Sequence, residues 1–273
     1  MAPKTIGTVG ILGCGWLGKA LAVRLLNHNI NVKGTTTSID KLKELQNLGL
    51  SAYQVEFSDN QIIGDLDKFL EDLETLIISI PPKHQEGDET LYKALMRILK
   101  IHNLKHIKRI LYVSSTGVFE DGEDCTYDED SKSNASSAKG QYLIQLEELF
   151  AFRNFNTDAS VLRLGGLIKN GGRHPVYYLA GKTGIANPDA PVNLIEQNDA
   201  VELIIAILRT EKLQPVYHGV YPWHPSRKEY YSQKAIDLEL QLPEFKNPQK
   251  SSGKRICSEK TSRYLNFTFS SKI

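Results

Sequence analysis

Residues 6–18 read IGTVGILGCGWLG, an apolar run that passes into three glycines spaced as G-x-G-x-x-G. The apolar run over 6–12 is typical of a short buried strand in a parallel sheet. Leucine and alanine then recur at helical spacing from Leu17 to Leu25. A glycine turn between a strand and a helix brings the backbone close to a pyrophosphate and directs helix-terminal N–H groups at it. The stretch therefore predicts a dinucleotide-binding turn, and the alternative is an ordinary glycine-rich turn.

Each glycine of this motif has its own expected role. Gly13 allows the tight turn, Gly15 the close approach of the phosphates, and Gly18 the packing of the helix on the strand. Trp16 and Leu17 lie in the same turn and are further predicted cofactor contacts. For Trp16 two interpretations stay open, because its ring either covers the cofactor or packs against the loop.

Downstream, strand and helix patterns alternate, which predicts βαβ units and a parallel sheet. The predicted strands are 30–35, 51–57, 75–80, 109–114, 159–164 and 216–220. The predicted helices are 17–28, 38–48, 66–73, 89–102, 138–152, 199–208 and 226–240. We therefore expect an α/β protein with a Rossmann-type doubly wound parallel sheet.

The pattern changes after the predicted strand 159–164, since residues 165–191 are rich in Gly, Pro and Asn. This change predicts two domains. The dinucleotide-binding domain is expected over 1–165, with 193–220 returning to it. A small C-terminal substrate-binding subdomain is expected over 166–192 and 221–273.

The end of the second predicted strand bears on the choice between NAD and NADP. NAD-preferring sites place a carboxylate there, which holds the ribose 2′-hydroxyl. Residues 33–38 read KGTTTS and contain no acid. The hydroxyls of Thr36, Thr37 and Ser38 precede a helix, which suits a 2′-phosphate. The sequence thus predicts NADP in preference to NAD, unless these three residues only cap the helix.

Composition limits the function classes. The formal net charge of the 273 residues is +1, so no overall field attracts nucleic acid. Cys14, Cys125 and Cys257 are far apart and lack C-x-x-C spacing, which argues against a disulfide framework and a zinc site. No apolar run reaches membrane-spanning length, and residues 1–5 lack a signal-peptide pattern. We expect a cytoplasmic protein that acts on a small molecule, without a metal, nucleic-acid or membrane partner.

Two blocks of like charge stand out against this neutral background. Residues 120–130 contain seven acids and no base, and basic residues dominate from Lys246 onward. We interpret them as a solvated loop and a solvated tail that attract each other, rather than as a partner-binding surface.

Several segments together resemble the extended short-chain dehydrogenases/reductases, the nucleotide-sugar epimerase and dehydratase family. They are YVSSTGVF at 112–119, YDEDS at 127–131 and VNLIEQNDA at 192–200. Residues 226–231 and 253–256 are similar to the atypical branch of that family. The resemblance spans nearly the whole chain and implies a homodimer built on the helices at 89–102 and 138–152.

Two departures from the family pattern are visible. The phosphate loop reads G-x-G-x-x-G instead of the usual G-x-x-G-x-x-G. The family's catalytic Tyr-x-x-x-Lys pair is also missing. In that pair, the lysine lies four residues after the tyrosine on the same helical face and makes its phenol more acidic. Its expected place is near Lys139 and Leu143, and Tyr142 is followed by Leu146 at that spacing. This pattern resembles atypical members, in which the fold and nucleotide site persist without the tyrosine.

The resemblance also implies candidate catalytic residues. Ser115 corresponds to the family's substrate-hydroxyl serine or threonine, and Thr116 is the neighbour that would serve instead. The alternative for both residues is a structural role, in which their hydroxyls form hydrogen bonds at the end of the strand. Lys139 is a candidate acid or ribose contact, with a surface lysine as its alternative.

Further contacts follow from the same alignment of segments. Ile80, Pro81 and Ser114 are expected at the cofactor. Arg173 and His174 lie where the family has its substrate loop, and arginine suits phosphate or carboxylate recognition.

The leading interpretation is an NADP(H)-binding oxidoreductase or epimerase/dehydratase-like protein, with Ser115 polarising the oxygen of a small polar, sugar or sugar-nucleotide-like substrate. The alternative is a non-catalytic NADP(H)-binding redox sensor or scaffold, which the missing pair favours. A third interpretation is a 3-hydroxyacid or 6-phosphogluconate type dehydrogenase. That class needs a lysine with asparagine four residues on, which Lys169-Asn170 does not match.

Overall fold

A computed structural model describes residues 6–58, 61–82, 89–101, 104–151, 157–246 and 251–273. The strands are β1 Val9–Leu12, β2 Val32–Thr36, β3 Ser51–Ser58, β4 Gln61–Gly64, β5 Thr75–Ile78, β6 Arg109–Ser115, β7 Cys125–Tyr127, β8 Asp158–Leu164, β9 Gly166–Ile168, β10 Leu194–Glu196, β11 Val216–Gly219 and β12 Lys254–Ile256. The helices are α1 Trp16–Asn27, α2 Ile39–Asn47, α3 Leu66–Leu70, α4 Thr90–Ile101, α5 Ala138–Ala151, α6 Val176–Leu179, α7 Gln197–Arg209, α8 Arg227–Asp237 and α9 Glu259–Leu265.

Eight strands form one sheet in the order β11-β8-β6-β5-β1-β2-β3-β4. β1 pairs in parallel with β2 on one side and with β5 on the other. Successive strands therefore extend the sheet in opposite directions from β1, as in a doubly wound fold. This arrangement confirms the predicted fold class. β4, which pairs antiparallel with β3, was not predicted.

The central strands are apolar because both of their faces are covered. All four residues of β1 and all four of β5 are buried, as expected for parallel strands between helical layers. α1 turns Leu17, Leu21 and Leu25 to the interior. β5 ends before Pro81-Pro82, where the missing N–H groups stop sheet pairing.

The chain divides into two compact units by its contacts. Unit 1 comprises the chain up to Ser114, Gln141–Leu162 and Val201–Val216; unit 2 comprises Ser115–Gly140, Arg163–Ala200 and Tyr217–Ile273. Residues 115–140 fall in unit 2, where β7, inside this segment, pairs in parallel with β12.

Each unit has its own apolar core. In unit 1, Phe69, Leu76 and Tyr112 belong to a buried cluster that spans helices and sheet. In unit 2, Val176, Tyr230 and Tyr231 belong to a second buried cluster.

The acidic segment and the basic tail of the sequence meet in unit 2. Besides the β7–β12 pairing, Lys254 forms an ion pair with Asp121 at 3.0 Å. Lys260 pairs with Asp128 at 2.8 Å and also contacts Asp130. The mutual attraction expected from the charge pattern is therefore present as ion pairs.

None of the helices in the described part of the chain combines the length and the apolar character needed to cross a bilayer.

Candidate functional site

The candidate cofactor site of unit 1 is the turn between β1 and α1. Gly13 has φ +100°, a backbone conformation that side-chain-bearing residues rarely adopt. A Cβ placed there would lie 2.8 Å from the carbonyl oxygen of Ser79, just after β5. The turn is thus tight and is packed against the carboxyl end of the neighbouring strand.

The other two glycines differ in what surrounds them. A Cβ at Gly18 would lie 2.4 Å from the carbonyl oxygen of Gly13, so α1 packs directly on the turn. A Cβ at Gly15 would meet no atom within 4 Å. Gly15 therefore faces open space at the N-terminus of α1, where a ligand has room to approach the backbone.

The start of α1 offers backbone hydrogen-bond donors. Its first backbone bond runs from the Lys19 N–H to the Gly15 carbonyl, so the helical bonding pattern does not use the N–H groups of Leu17 and Gly18. The first turn contains no acidic residue. Burial raises the pKa of the Cys14 thiol to about 12, which keeps it neutral. This environment suits an anion such as a pyrophosphate.

Thr35 holds the turn in place and was missed by the sequence reasoning. Its hydroxyl accepts a hydrogen bond from the Gly13 N–H at 2.9 Å. Its carbonyl accepts another from the Cys14 N–H at 2.8 Å. Only the adjacency of β1 and β2 brings these residues together, so no local motif signals the contact.

The end of β2 leads directly into α2. Thr36 is buried and its hydroxyl accepts from the Ser38 N–H at 3.3 Å. The Ser38 hydroxyl accepts from the Lys41 N–H at 3.5 Å and caps α2. Thr37 is exposed between them. Two of the three predicted hydroxyl residues therefore also serve as local structure.

The remaining predicted cofactor contacts of the loops lie near the turn or within it. Both Trp16 and Leu17 lie in the first turn of α1, where Trp16 is half-buried and Leu17 is buried. The side chain of Ile80 lies 2.7 Å from the Cβ position built on Gly13. Pro81 is exposed.

Ser114 points its side chain away from solvent. Its hydroxyl donates to the Glu147 carboxylate in α5 at 2.6 Å, and the residue is buried. The hydroxyl of Ser114 is thus engaged inside unit 1, which leaves its backbone as the part that a cofactor would contact.

Ser115 and Thr116 open unit 2. The Ser115 hydroxyl accepts from the Gly117 N–H at 3.1 Å and caps a 3₁₀ turn over Thr116–Val118. This bond uses a lone pair and leaves the hydroxyl proton available for donation. Ser115 is half-buried whereas Thr116 is 8% exposed, so Ser115 is the more accessible of the two.

The start of α5 packs on the same turn. A Cβ at Gly140 would lie 2.9 Å from the Gly117 carbonyl oxygen, so the two backbones are in close approach. The neighbouring Lys139 is exposed, and its ammonium group makes no hydrogen bond or ion pair within the described residues.

Tyr142, the one tyrosine near the expected position of the missing pair, has a structural contact. Its hydroxyl accepts from the Tyr92 N–H at 3.1 Å in unit 1. Four residues further on, Leu146 is fully buried in the core. The position four residues after Tyr142 is therefore occupied by a buried leucine instead of the family's lysine.

The two predicted substrate residues, both in unit 2, differ in their exposure to solvent. Arg173 is exposed. His174 is buried, its Nε2 lies 2.9 Å from the Tyr230 hydroxyl, and its Nδ1 accepts from the Val176 N–H at 3.1 Å. Both ring nitrogens are engaged, so we do not include His174 in a substrate site.

The segment VNLIEQNDA also has a structural part in unit 2. The Asn193 amide donates to the Lys254 carbonyl at 2.7 Å and its oxygen accepts from the Ile256 N–H at 2.9 Å. The buried Asp199 carboxylate accepts from the N–H groups of Ser270 and Ser271 at 3.1 and 3.0 Å. These residues hold the C-terminal segment, which spacing alone did not reveal.

Comparison with known protein families matches residues 8–94 to the family described as NADP oxidoreductase, coenzyme F420-dependent. The chain is 32% identical to protein YeeZ of Escherichia coli K12 over 262 residues, which is 92% of this chain and 93% of that protein.

Solved structures resemble the fold. A short-chain dehydrogenase/reductase superfamily protein from Agrobacterium tumefaciens with bound NAD has a TM-score of 0.77 at 14% identity, over 97% of this chain and 93% of that one. The human epimerase family protein SDR39U1 with NADPH has a TM-score of 0.72 at 15% identity, over 96% of this chain and 95% of that one.

Proposed function

Because the chain belongs to the family of protein YeeZ, within the atypical extended short-chain dehydrogenases/reductases, we propose that it is an NADP(H)-binding oxidoreductase or epimerase/dehydratase-like enzyme. Its substrate is a small polar molecule with a hydroxyl or carbonyl carbon, of the sugar or sugar-nucleotide type. The two structural neighbours named above were determined with bound NAD and with NADPH, which supports a nicotinamide cofactor here.

The observation that carries the proposal is the turn between β1 and α1. Gly15 faces open space, and a tight turn at Gly13 places the N-terminus of α1 beside that space. The surroundings contain helical N–H donors and a neutral thiol at Cys14. The residues present therefore fit a pyrophosphate.

The preference for NADP over NAD rests on the end of β2. No acid occurs over residues 33–38 to accept a hydrogen bond from a ribose 2′-hydroxyl. The exposed Thr37 hydroxyl, the adjoining N-terminus of α2 and the exposed Lys41 supply donors and positive charge. These groups favour a 2′-phosphate.

For the reaction we assign Ser115 as the hydrogen-bond donor to the reacting oxygen of the substrate. A bound nicotinamide supplies or accepts the hydride. Ser115 is accessible, and the N–H of Gly117 fixes its oxygen while its proton remains free to donate. Lys139, exposed beside the same turn, is the ionisable side chain that we propose as acid or ribose contact.

A second candidate function is favoured by Tyr142. Its hydroxyl is held by the Tyr92 N–H and its helical neighbour Leu146 is apolar and buried. These contacts support the alternative of a non-catalytic NADP(H)-binding sensor or scaffold.

The first experiment is a fluorescence titration of the protein with NADPH and, separately, NADH. We expect tighter binding of NADPH. Gly15→Asp is expected to abolish binding, because a carboxylate would meet the pyrophosphate in the open space beside Gly15. The matched control is Gly172→Asp, which places the same charge where a Cβ has ordinary contacts of 3.6 Å or more. Unchanged affinity in Gly15→Asp would refute the location of the site.

The second experiment separates the two functions. NADPH consumption is followed in the presence of a broad panel of carbonyl compounds. An enzyme consumes NADPH with some member of the panel, and Ser115→Ala then lowers turnover without changing NADPH affinity. Tight binding without any consumption would support the non-catalytic alternative, and a loss of affinity in Ser115→Ala would make Ser115 a cofactor contact.

A further inference from the structure

Unit 2 contains a cavity of about 640 Å³ that is not lined by any residue assigned above. Its walls come from the loop after β11, from the end of β12, and from α9 with the segment that follows it. All of these belong to unit 2. The volume falls in the range of small-molecule binding sites.

The cavity carries a net positive charge. Arg255 and Arg263 both line it and are exposed. Neither guanidinium forms a hydrogen bond or an ion pair with another residue of the described chain. Glu259 is the acidic side chain of the lining, so two guanidiniums and one carboxylate leave a charge of +1.

His224, which also lines the cavity, does not add to this charge. Its Nδ1 lies 3.0 Å from the Val192 carbonyl oxygen, to which it donates. Burial, together with the positive charge of Arg255, lowers the pKa of His224. The imidazole is therefore neutral near pH 7.

One wall of the cavity is aromatic. The rings of Tyr221 and Phe269 lie 6.1 Å apart at 77°. Phe269 in turn meets Phe267 at 5.1 Å and 90°. Edge-to-face packing of this kind fixes the orientation of the rings, and all three of these aromatic residues line the cavity.

We propose that this cavity binds an aromatic carboxylate. The flat ring packs on Tyr221 and Phe269, and the carboxylate pairs with Arg255 and Arg263. A planar guanidinium matches a carboxylate with two parallel hydrogen bonds. A single negative charge also neutralises the net charge of the lining. This proposal is independent of cofactor binding in unit 1.

The test is an isothermal titration of the full chain with 2-naphthoate. We expect saturable binding to one site. Arg255→Gln and Arg263→Gln should each weaken it by about tenfold or more. The matched control is Arg209→Gln, an exposed arginine at the end of α7 that does not line the cavity, and it should bind like the unsubstituted protein.

Two further arms make the outcome specific. The neutral analogue 2-naphthalenemethanol should bind about tenfold more weakly, since it cannot pair with a guanidinium. Gly15→Asp, which disables the proposed cofactor site, should bind 2-naphthoate normally. Absence of binding in the millimolar range, or equal binding by both arginine variants and the control, would overturn the proposal. Loss of 2-naphthoate binding in Gly15→Asp would overturn it as well.

Discussion

Single residues decide how the turn between β1 and α1 is held. The Thr35 hydroxyl accepts a hydrogen bond from the Gly13 N–H, and the Thr35 carbonyl accepts one from the Cys14 N–H. The N–H groups of Gly13 and Cys14 are therefore already used. A bound phosphate must rely on the donors that follow, from Gly15 into the first turn of α1.

Gly18→Ala is expected to destabilise the protein. The new Cβ would lie 2.4 Å from the Gly13 carbonyl oxygen, which is backbone, so α1 would have to move. Overpacking of this kind costs about 1–3 kcal/mol. The measurement is the free energy of unfolding in urea. Because the start of α1 also moves, NADPH affinity should fall with it.

Gly15→Ala is the matched control for this substitution. Its Cβ meets nothing within 4 Å, and alanine in place of an N-cap glycine costs under about 1 kcal/mol. Equal losses of stability for Gly15→Ala and Gly18→Ala would contradict the packing role of Gly18.

His174 is expected to make stability depend on pH. Burial, with a smaller contribution from the charge of Lys234, lowers its pKa to about 4. An unfolded histidine titrates near 6.5. The folded state therefore resists a proton that the unfolded state takes up. The stabilisation is fully present above about pH 6.5 and is lost as the pH falls towards 4.

The measurement compares urea unfolding of the unsubstituted protein and of His174→Gln at several pH values. The stability advantage of the unsubstituted protein should be largest at pH 7 and should shrink towards pH 4. An advantage that stays constant over this range would show that His174 has the same pKa in both states.

Among the elements, β12 depends on a side chain far away in the sequence. Asn193→Ala is expected to destabilise unit 2, since it leaves the Lys254 carbonyl and the Ile256 N–H without their partner. Unsatisfied groups of this kind cost about 1–3 kcal/mol. Hydrogen exchange at Ile256 should accelerate. The control is Asn198→Ala, at an exposed position five residues on. If this variant accelerated exchange at Ile256 to the same extent, Asn193 would have no special role.

The elements that the sequence predicted share a physical basis. β1, β5 and α1 have strong local patterns, since buried parallel strands are continuously apolar and α1 repeats leucine at helical spacing. β4, β7 and β12 contain mostly exposed or half-buried residues, so they lack the continuous apolar run of β1 and β5. β7 and β12 also pair with each other across a long stretch of the chain. The glycine turn was predictable because it lies between two strong local patterns. The contacts of Thr35 and Asn193 were not, because they join residues that are far apart in the chain.

At the scale of the whole molecule, both units are assembled from three separate segments of the chain. The C-terminal segment of unit 2 supplies the partners of two buried carboxylates. Glu129 accepts from the N–H and the hydroxyl of Thr261 at 2.8 and 2.6 Å. Asp199 accepts from Ser270 and Ser271.

Deletion of residues 251–273 is expected to unfold unit 2. It removes β12 and α9 and, with them, the hydrogen-bond partners of the Glu129 and Asp199 carboxylates, and polar groups that lose such partners destabilise a fold. Hydrogen exchange followed by mass spectrometry should show fast exchange at Ile195 in unit 2. Ile11 in unit 1 belongs to none of the lost contacts and is the internal control. Continued protection at Ile195 would show that unit 2 does not need this segment.

Because the segments of the two units alternate along the chain, the order of synthesis decides when unit 2 can fold. Thr261 is made 132 residues after its partner Glu129, a delay of roughly 10 s at ordinary translation rates of about 5–20 residues per second. During that interval the 115–140 segment has left the ribosome without the strand that will pair with it. Newly made chains are therefore exposed to proteases and chaperones at this segment, and a change in elongation rate downstream would alter the yield of folded protein without altering its sequence.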